Sequence, residues 1–251
     1  MDPVNIRFYH ELNDFLPAGQ KAKVISYSLQ QSRSVKDFIE SMGVPHTEVD
    51  IILVNDVAVD FDYPLQGEDD IQVFPHLQTG RAGSDEAGHP DASYTTTPAI
   101  AAELKHLKPK IPDPPRFVLD VHLGRLAAYL RMLGFDTLYR NDYEDPELAI
   151  ISAEQHRILL SCDRQLLMRK QVIFGYFVRS RKPQQQLLEI LSRFELYDKE
   201  QPFTRCMHCN GSTQLVDKHE IQSQLQPRTK KYYDEFYQCQ LCGKVYWKGS
   251  H

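Results

Sequence analysis

The sequence predicts an α/β protein, built on a parallel sheet covered by helices on both faces. A small α+β unit precedes it and a cysteine-rich segment follows. Three observations carry this prediction. Between Phe117 and Phe194, short apolar runs alternate with helical stretches, which is the pattern of a sheet buried on both faces. Between Val4 and Phe74, the alternation has period two and is broken by one helical stripe. Four of the five cysteines fall in the last 46 residues, as two close pairs.

The elements follow in order. Val4–Tyr9 and Val24–Leu29 alternate apolar and polar residues and read as strands. Ser34 is placed to cap a helix whose Val35, Phe38, Ile39 and Met42 share one face. Ile51–Val54 and Val57–Val59 flank Asn55-Asp56, a tight hairpin turn, and Ile71–Phe74 closes the unit. Residues 77–115 lose periodicity. Their glycines, serines and prolines read as a linker, with Ala99–Leu107 a candidate short helix. Phe117–Leu119 then begins the strand–helix alternation. A helix from Val121 ends at Gly134 as a C-cap, and Phe135–Tyr139 is a second strand. Asp145-Pro146 opens another helix. Ile158–Leu160 is the third strand, Gln165–Lys170 a helical turn, Val172–Val178 a fourth strand and Gln184–Phe194 a helix. The resulting boundaries are 1–76, 77–112, 113–200 and 201–251.

No apolar run approaches the roughly 20 residues of a membrane span. The start of the chain has no basic-then-apolar leader, so a cytoplasmic protein is the expectation. An odd cysteine count clustered as CxxC pairs argues for metal rather than disulfides. The net charge of −5 is uneven. Residues 1–80 carry 5 basic and 13 acidic side chains, whereas residues 116–182 carry 11 and 8. The later part could meet a polyanion that the first part would repel.

Asp120 and Asp163 each follow an apolar strand. In open α/β sheets, ligands bind beyond the carboxyl ends of the strands. A third acid is available from Asp142, Glu144, Asp145 and Glu147 in the loop between them. Carboxylates without cysteine or histidine beside them suit Mg²⁺ or Mn²⁺, an ion able to activate water and steady a phosphate. Each acid also has a plainer role as a helix cap. Arg125, Arg131, Arg164 and Arg169 lie close by in sequence and suit a phosphate-bearing substrate. The first strand is followed by Asp-Val-His rather than Asp-x-Asp, and no G-x-x-x-x-G-K-[ST] or G-x-S-x-G motif is present. Haloacid-dehalogenase, P-loop and α/β-hydrolase chemistry are therefore disfavoured. Cys162 reads as a packed thiol rather than a nucleophile.

Cys206-x-x-Cys209 and Cys239-x-x-Cys242 are separated by 29 residues, the spacing of a structural zinc site with all four positions filled. Between and after them, Lys230, Lys231, Trp247 and Lys248 mix cations with aromatics and suit contact with RNA. Phe236 and Tyr246 read as local core.

Two resemblances follow from these residues. The hairpin IILVNDVAVD and the segment LQGEDDIQVFP resemble the β-grasp, ubiquitin-like fold, in particular the small sulfur carriers of thiamine and molybdopterin synthesis. Those carriers end in Gly-Gly, whereas this chain continues through Pro75 to Arg81. The resemblance therefore implies a docking or folding role for residues 1–76, with a protein partner, rather than sulfur transfer. The stretches FVLDVHLGRLAAYLRMLGFDTLY, DPELAIISAEQHRILLSCDRQLLMRK and RCMHCNG…CQLCGKVYWKGSH resemble the Mut-seven C-terminal RNase family. That likeness implies a PIN-like three-layer nuclease domain over 113–200 and a zinc ribbon over 201–251. It implies Asp120, Asp145 and Asp163 as the catalytic acids holding Mg²⁺ or Mn²⁺. It also implies Arg125, Arg131 and Arg164 as basic neighbours, and Cys206, Cys209, Cys239 and Cys242 as zinc ligands. RNA is the implied partner, with tRNA and the ribosome as candidates. PIN nucleases usually add a fourth acid after a later strand, and Phe177-Val178-Arg179-Ser180-Arg181 supplies none. A non-catalytic RNA- or ribosome-binding protein is the alternative expectation.

Overall fold

The computed structural model describes residues 2–76 and 105–249. The linker expected over 77–112 and the helix expected over Ala99–Leu107 fall largely outside the described residues. The chain divides into two compact units. One comprises Met1–Lys110 with Asp163–Tyr176, and the other Ile111–Cys162 with Phe177–His251.

The first unit is built on a five-stranded mixed sheet. Its strands are β1 (Pro3–Phe8), β2 (Ile25–Ser28), β3 (Val49–Val54), β4 (Val57–Ala58) and β5 (Asp70–Pro75), in the order β2-β1-β5-β3-β4. β1 pairs with β2 antiparallel and with β5 parallel, and β3 pairs antiparallel with both β5 and β4. The helix α1 (Val35–Ser41) begins where expected, because Ser34 accepts the Asp37 N–H at 3.1 Å. Its Val35, Phe38 and Ile39 are fully buried, as are Ile6, Ile52, Ile71 and Val73 of the sheet. Asn55 and Asp56 both adopt positive φ, 51° and 64°, which a two-residue hairpin turn requires and which these residues tolerate well.

Residues Asp163–Tyr176 belong to this unit through specific bonds. α4 (Arg164–Leu167) starts one residue earlier and is shorter than the periodicity predicts. The Arg164 guanidinium donates to the Phe15 carbonyl at 2.8 Å and lies 5.0 Å from the Phe15 ring centre. His46 Nε2 bonds the Val172 carbonyl at 2.9 Å. That bond occupies the start of the expected strand Val172–Val178, so β9 is confined to Gly175–Phe177.

The second unit holds the α/β sheet, ordered β7-β6-β8-β9 around β6 (Phe117–Leu119), with β7 (Thr137–Leu138) and β8 (Ile158–Ser161) both parallel to β6. Every residue of β6 and β8 is buried, as expected for strands covered on both faces. The helix expected from Val121 is a 3-10 turn, Val121–Leu123, continued by α2 (Gly124–Met132). Gly134 follows with φ +94°, and its missing side chain leaves room for the Gln201 carbonyl. The strand expected over Phe135–Tyr139 shrinks to β7, on whose outer edge Asn210 Oδ1 accepts the Thr137 N–H and Arg131 bonds the Thr137 carbonyl. α3 (Asp145–Gln155) and α5 (Pro183–Arg193) complete the layers. A separate antiparallel sheet, β10 (Thr213–Val216), β11 (Phe236–Cys239) and β12 (Val245–Trp247), carries the cysteine pairs, with α6 (Pro227–Tyr232) in the connection. Among the described residues, no helix is long and apolar enough to cross a membrane.

Candidate acidic site and cysteine cluster

Asp120 stands at the carboxyl end of β6, only 4 % exposed. Its carboxylate is held by three donors. The His122 N–H reaches Oδ1 at 2.8 Å, and the Ser161 hydroxyl and Cys162 N–H reach Oδ2 at 2.5 and 3.0 Å. The first of these bonds caps the 3-10 turn, and the other two fasten the end of β6 to the end of β8. An ionised carboxylate offers about four acceptor directions, so Asp120 retains one for a further partner.

Asp145 is the first residue of α3, partly exposed, with Glu144 in the cap position and Pro146 behind it. Of the other acids in that loop, Asp142 and Glu147 pair with Arg140 at 2.8 and 3.5 Å. Asp163 lies in the first unit, exposed, where Oδ1 caps α4 by accepting the Gln165 N–H at 2.7 Å. The capping roles that the sequence offers Asp120 and Asp163 are thus both realised.

The structure adds an acid that the sequence reading passes over. Glu189 of α5 accepts the Arg179 N–H at 2.8 Å and the Ser180 N–H at 2.9 Å. Its carboxylate therefore sits against the loop after β9, which has no acid of its own between Phe177 and Arg181. No local pattern marks it. Only its place on a helix whose first turn folds back over that loop could have hinted at it. Cys162 feels both acids. Burial of its sulfur, with Asp120 and Glu189 nearby, pushes the thiol up to about 11. It stays protonated at neutral pH, bonded to the Val178 carbonyl, but the residue is exposed rather than packed, which corrects the sequence reading.

The basic candidates divide. Arg125 is exposed on α2, and Lys230 and Lys231 are exposed on α6. Lys230 bonds Gln222 at 2.7 Å, and Lys231 lies 5.3 Å from the Tyr232 ring centre. Arg169 is half-buried, and Arg164 bonds the Phe15 carbonyl. Arg131 corrects the sequence reading. It is 4 % exposed, and its guanidinium donates to the carbonyls of Thr137, Met207, His208 and Tyr139. That is a clamp between the sheet and the first cysteine pair, with no face left for phosphate. Asp136 reinforces the clamp. Though burial opposes ionisation, bonds from Arg157 and Asn210 and the charge of Arg205 hold its carboxyl below the usual 3.8.

Arg131→Met is accordingly expected to destabilise this unit by about 3 kcal/mol, since it strands several carbonyls that a buried donor satisfied. Urea unfolding followed through Trp247, the one tryptophan, checks this. An unchanged midpoint would refute the clamp.

The four cysteine sulfurs lie within 4.8 Å of one another. Cys206 and Cys242 are 3.6 Å apart, and Cys209 and Cys239 3.5 Å. Tetrahedral thiolate ligands at about 2.3 Å from an ion would be about 3.8 Å apart, so the cluster could hold a metal. Asn210 and Gly243, each one residue past a pair, have φ of 64° and 71°, as the knuckle turns require. Phe236 is fully buried and serves as local core.

Comparison with known proteins gives two matches. Residues 115–251 match the family model described as Mut7-C RNAse domain. Residues 1–80 match the model described as Mut7-C ubiquitin. No curated protein and no solved structure matches.

Proposed function

Since the chain belongs to the Mut7-C RNAse family and carries a ubiquitin-like domain before the RNAse domain, we propose that it is a metal-dependent ribonuclease with a PIN-like catalytic domain and a structural zinc ribbon. The observation that carries the reading is Asp120, a nearly buried carboxylate at the carboxyl end of the central parallel strand, held by three donors. Burying an ionised group is costly unless it is well bonded. A fold that merely needed a cap at this position could use serine or threonine.

In this reading Asp120, Asp145 and Asp163 are the catalytic acids, and Glu189 supplies the fourth. Carboxylates of this kind fit Mg²⁺ or Mn²⁺, which when bound would activate water and steady the phosphate in line. Arg125, Arg164 and Arg169 would orient the RNA backbone, and Lys230 and Lys231 would extend the track beyond the ribbon. Cys206, Cys209, Cys239 and Cys242 fit Zn²⁺ and leave no open position, so that ion is structural. The partner is RNA, and the ubiquitin-like domain is a docking unit for a protein.

A second reading, RNA binding without cleavage, draws on one observation: Asp120 and Asp163 are already engaged as caps. Cleavage of a labelled RNA by the full chain separates the two. We expect activity with Mg²⁺ or Mn²⁺, loss on chelation, and return on adding back Mg²⁺ but not Zn²⁺. RNA that is bound yet uncut under every ion would establish the second reading.

A further inference from the structure

The first unit contains a second group of metal-ligating side chains, outside the residues that match the RNAse domain. Strands β3 and β5 pair Val49 with Pro75 and Ile51 with Phe74, so the register slips at Asp50. A bulge of this kind re-aims the side chain and frees the backbone of the extra residue. Both consequences are seen. The freed Asp50 carbonyl accepts the Leu107 N–H at 2.7 Å. The Asp50 side chain, wholly buried, accepts the Lys108 N–H on Oδ1 at 3.1 Å.

That leaves Oδ2, which faces two imidazoles. His76, the residue after β5, brings Nδ1 to 3.0 Å, and His106 brings Nδ1 to 2.8 Å. The three ligand atoms lie within 4.8 Å of one another. Ligands at about 2.0–2.1 Å from a tetrahedral ion are about 3.4 Å apart, so the two Oδ2–Nδ1 separations would have to open by about half an ångström to admit an ion. Both rings are nearly half exposed, at 43 % and 49 %, and have room for that movement. The backbone N–H on Oδ1 is the kind of outer bond that fixes a ligating carboxylate.

We propose that Asp50, His76 and His106 form a metal site for a divalent ion of the zinc type, with solvent in the remaining position. Two imidazoles and one carboxylate are borderline donors and suit Zn²⁺ rather than Mg²⁺ or Ca²⁺. The ion would tie the chain after β5 and the chain at residues 106–108 to one bulge in β3. It would thereby set where the polypeptide leaves and re-enters the ubiquitin-like domain. The site is independent of the nuclease reading and of the cysteine cluster.

The test uses the untagged full chain, the double variant H76Q/H106Q, and Co²⁺ and Zn²⁺ as probes. Co²⁺ at the cysteines gives intense thiolate-to-metal bands, whereas Co²⁺ on nitrogen and oxygen gives only weak visible bands. We expect two Zn²⁺ per wild-type chain in competition with a chromophoric chelator. In H76Q/H106Q, the second site should weaken at least tenfold while the thiolate bands stay unchanged. The single variant H106Q, altered at a half-exposed ring, should show the same loss with the fold intact by circular dichroism. A wild-type chain that saturates at one ion, or variants that still take two with unchanged affinity, would overturn the proposal.

Discussion

Replacing Cys239 by serine is expected to dissolve the C-terminal sheet, β10–β12, while leaving the α/β sheet folded. The argument rests on how little else holds that region. Among the described residues beyond Gln201, the fully buried apolar side chains are few: Cys206, Ile221, Phe236 and Cys239. Two of the four are metal-ligand candidates. No residue of β10 or β12 is fully buried. Segments this small rarely bury enough apolar surface to fold without a staple. A structural zinc ion supplies an apparent 10–16 kcal/mol, roughly, in small zinc-finger peptides. Removing one thiolate forfeits most of that. Trp247 lies on β12, so its emission should shift to that of a solvated indole. Protease should then cut at Lys230 and Lys231, and zinc content should fall by one per chain. The clamp from Arg131 to Met207 and His208 would loosen with it. Native Trp247 emission in Cys239→Ser would show that the sheet stands without its ion.

Asp163→Asn is expected to lower RNA cleavage by about 10²–10⁴-fold, the range typical of losing a positioned acid or base, which is about 3–5 kcal/mol of barrier. It should leave RNA affinity within a factor of a few. This residue is the cleanest of the acids to test. Asp163 is exposed, and its Oδ1 accepts the Gln165 N–H, which asparagine does equally well. Asp120 is less clean. An amide there must turn its NH2 either to the His122 N–H or to Ser161 and Cys162, all of which donate to the carboxylate, so folding and catalysis would fall together. Glu189→Gln faces the same difficulty at the Arg179 and Ser180 amides. The measurement is single-turnover cleavage with RNA binding followed in parallel. Cleavage by Asp163→Asn at the wild-type rate would remove Asp163 from the chemistry.

Much of the molecule is legible without coordinates. The two-residue turn at Asn55-Asp56, the Ser34 cap, the buried strands β6 and β8, and the glycine after α2 all follow from local rules. So do the two CxxC knuckles, whose turn residues announce themselves one position past each pair. The family likeness, too, rests on contiguous stretches. Element ends are less legible. The strand expected at Phe135–Tyr139 is only two residues long, and the one at Val172–Val178 loses its start, where His46, from a distant part of the chain, takes the Val172 carbonyl that a ladder would have used.

Arg131 shows the same limit for function. As one of several cations near Asp120 in sequence, it looked like a phosphate partner. Its burial and its four carbonyls come from segments up to 77 residues away. Glu189 is the reverse case: an acid with no local signature, placed by its helix against the loop after β9.

The sequence by itself determined which segments become strands and helices, which cysteines pair in knuckles, and which acids follow strands. These properties depend on periodicity and on neighbours a few residues apart. Only the tertiary structure decided that Asp50 occupies a bulge facing His76 and His106, that Arg131 is a clamp, and that Glu189 returns to the end of β9. Each depends on hydrogen bonds closing over long stretches of chain. A buried donor or acceptor must find a partner wherever the fold brings one, and sequence spacing carries no trace of that choice.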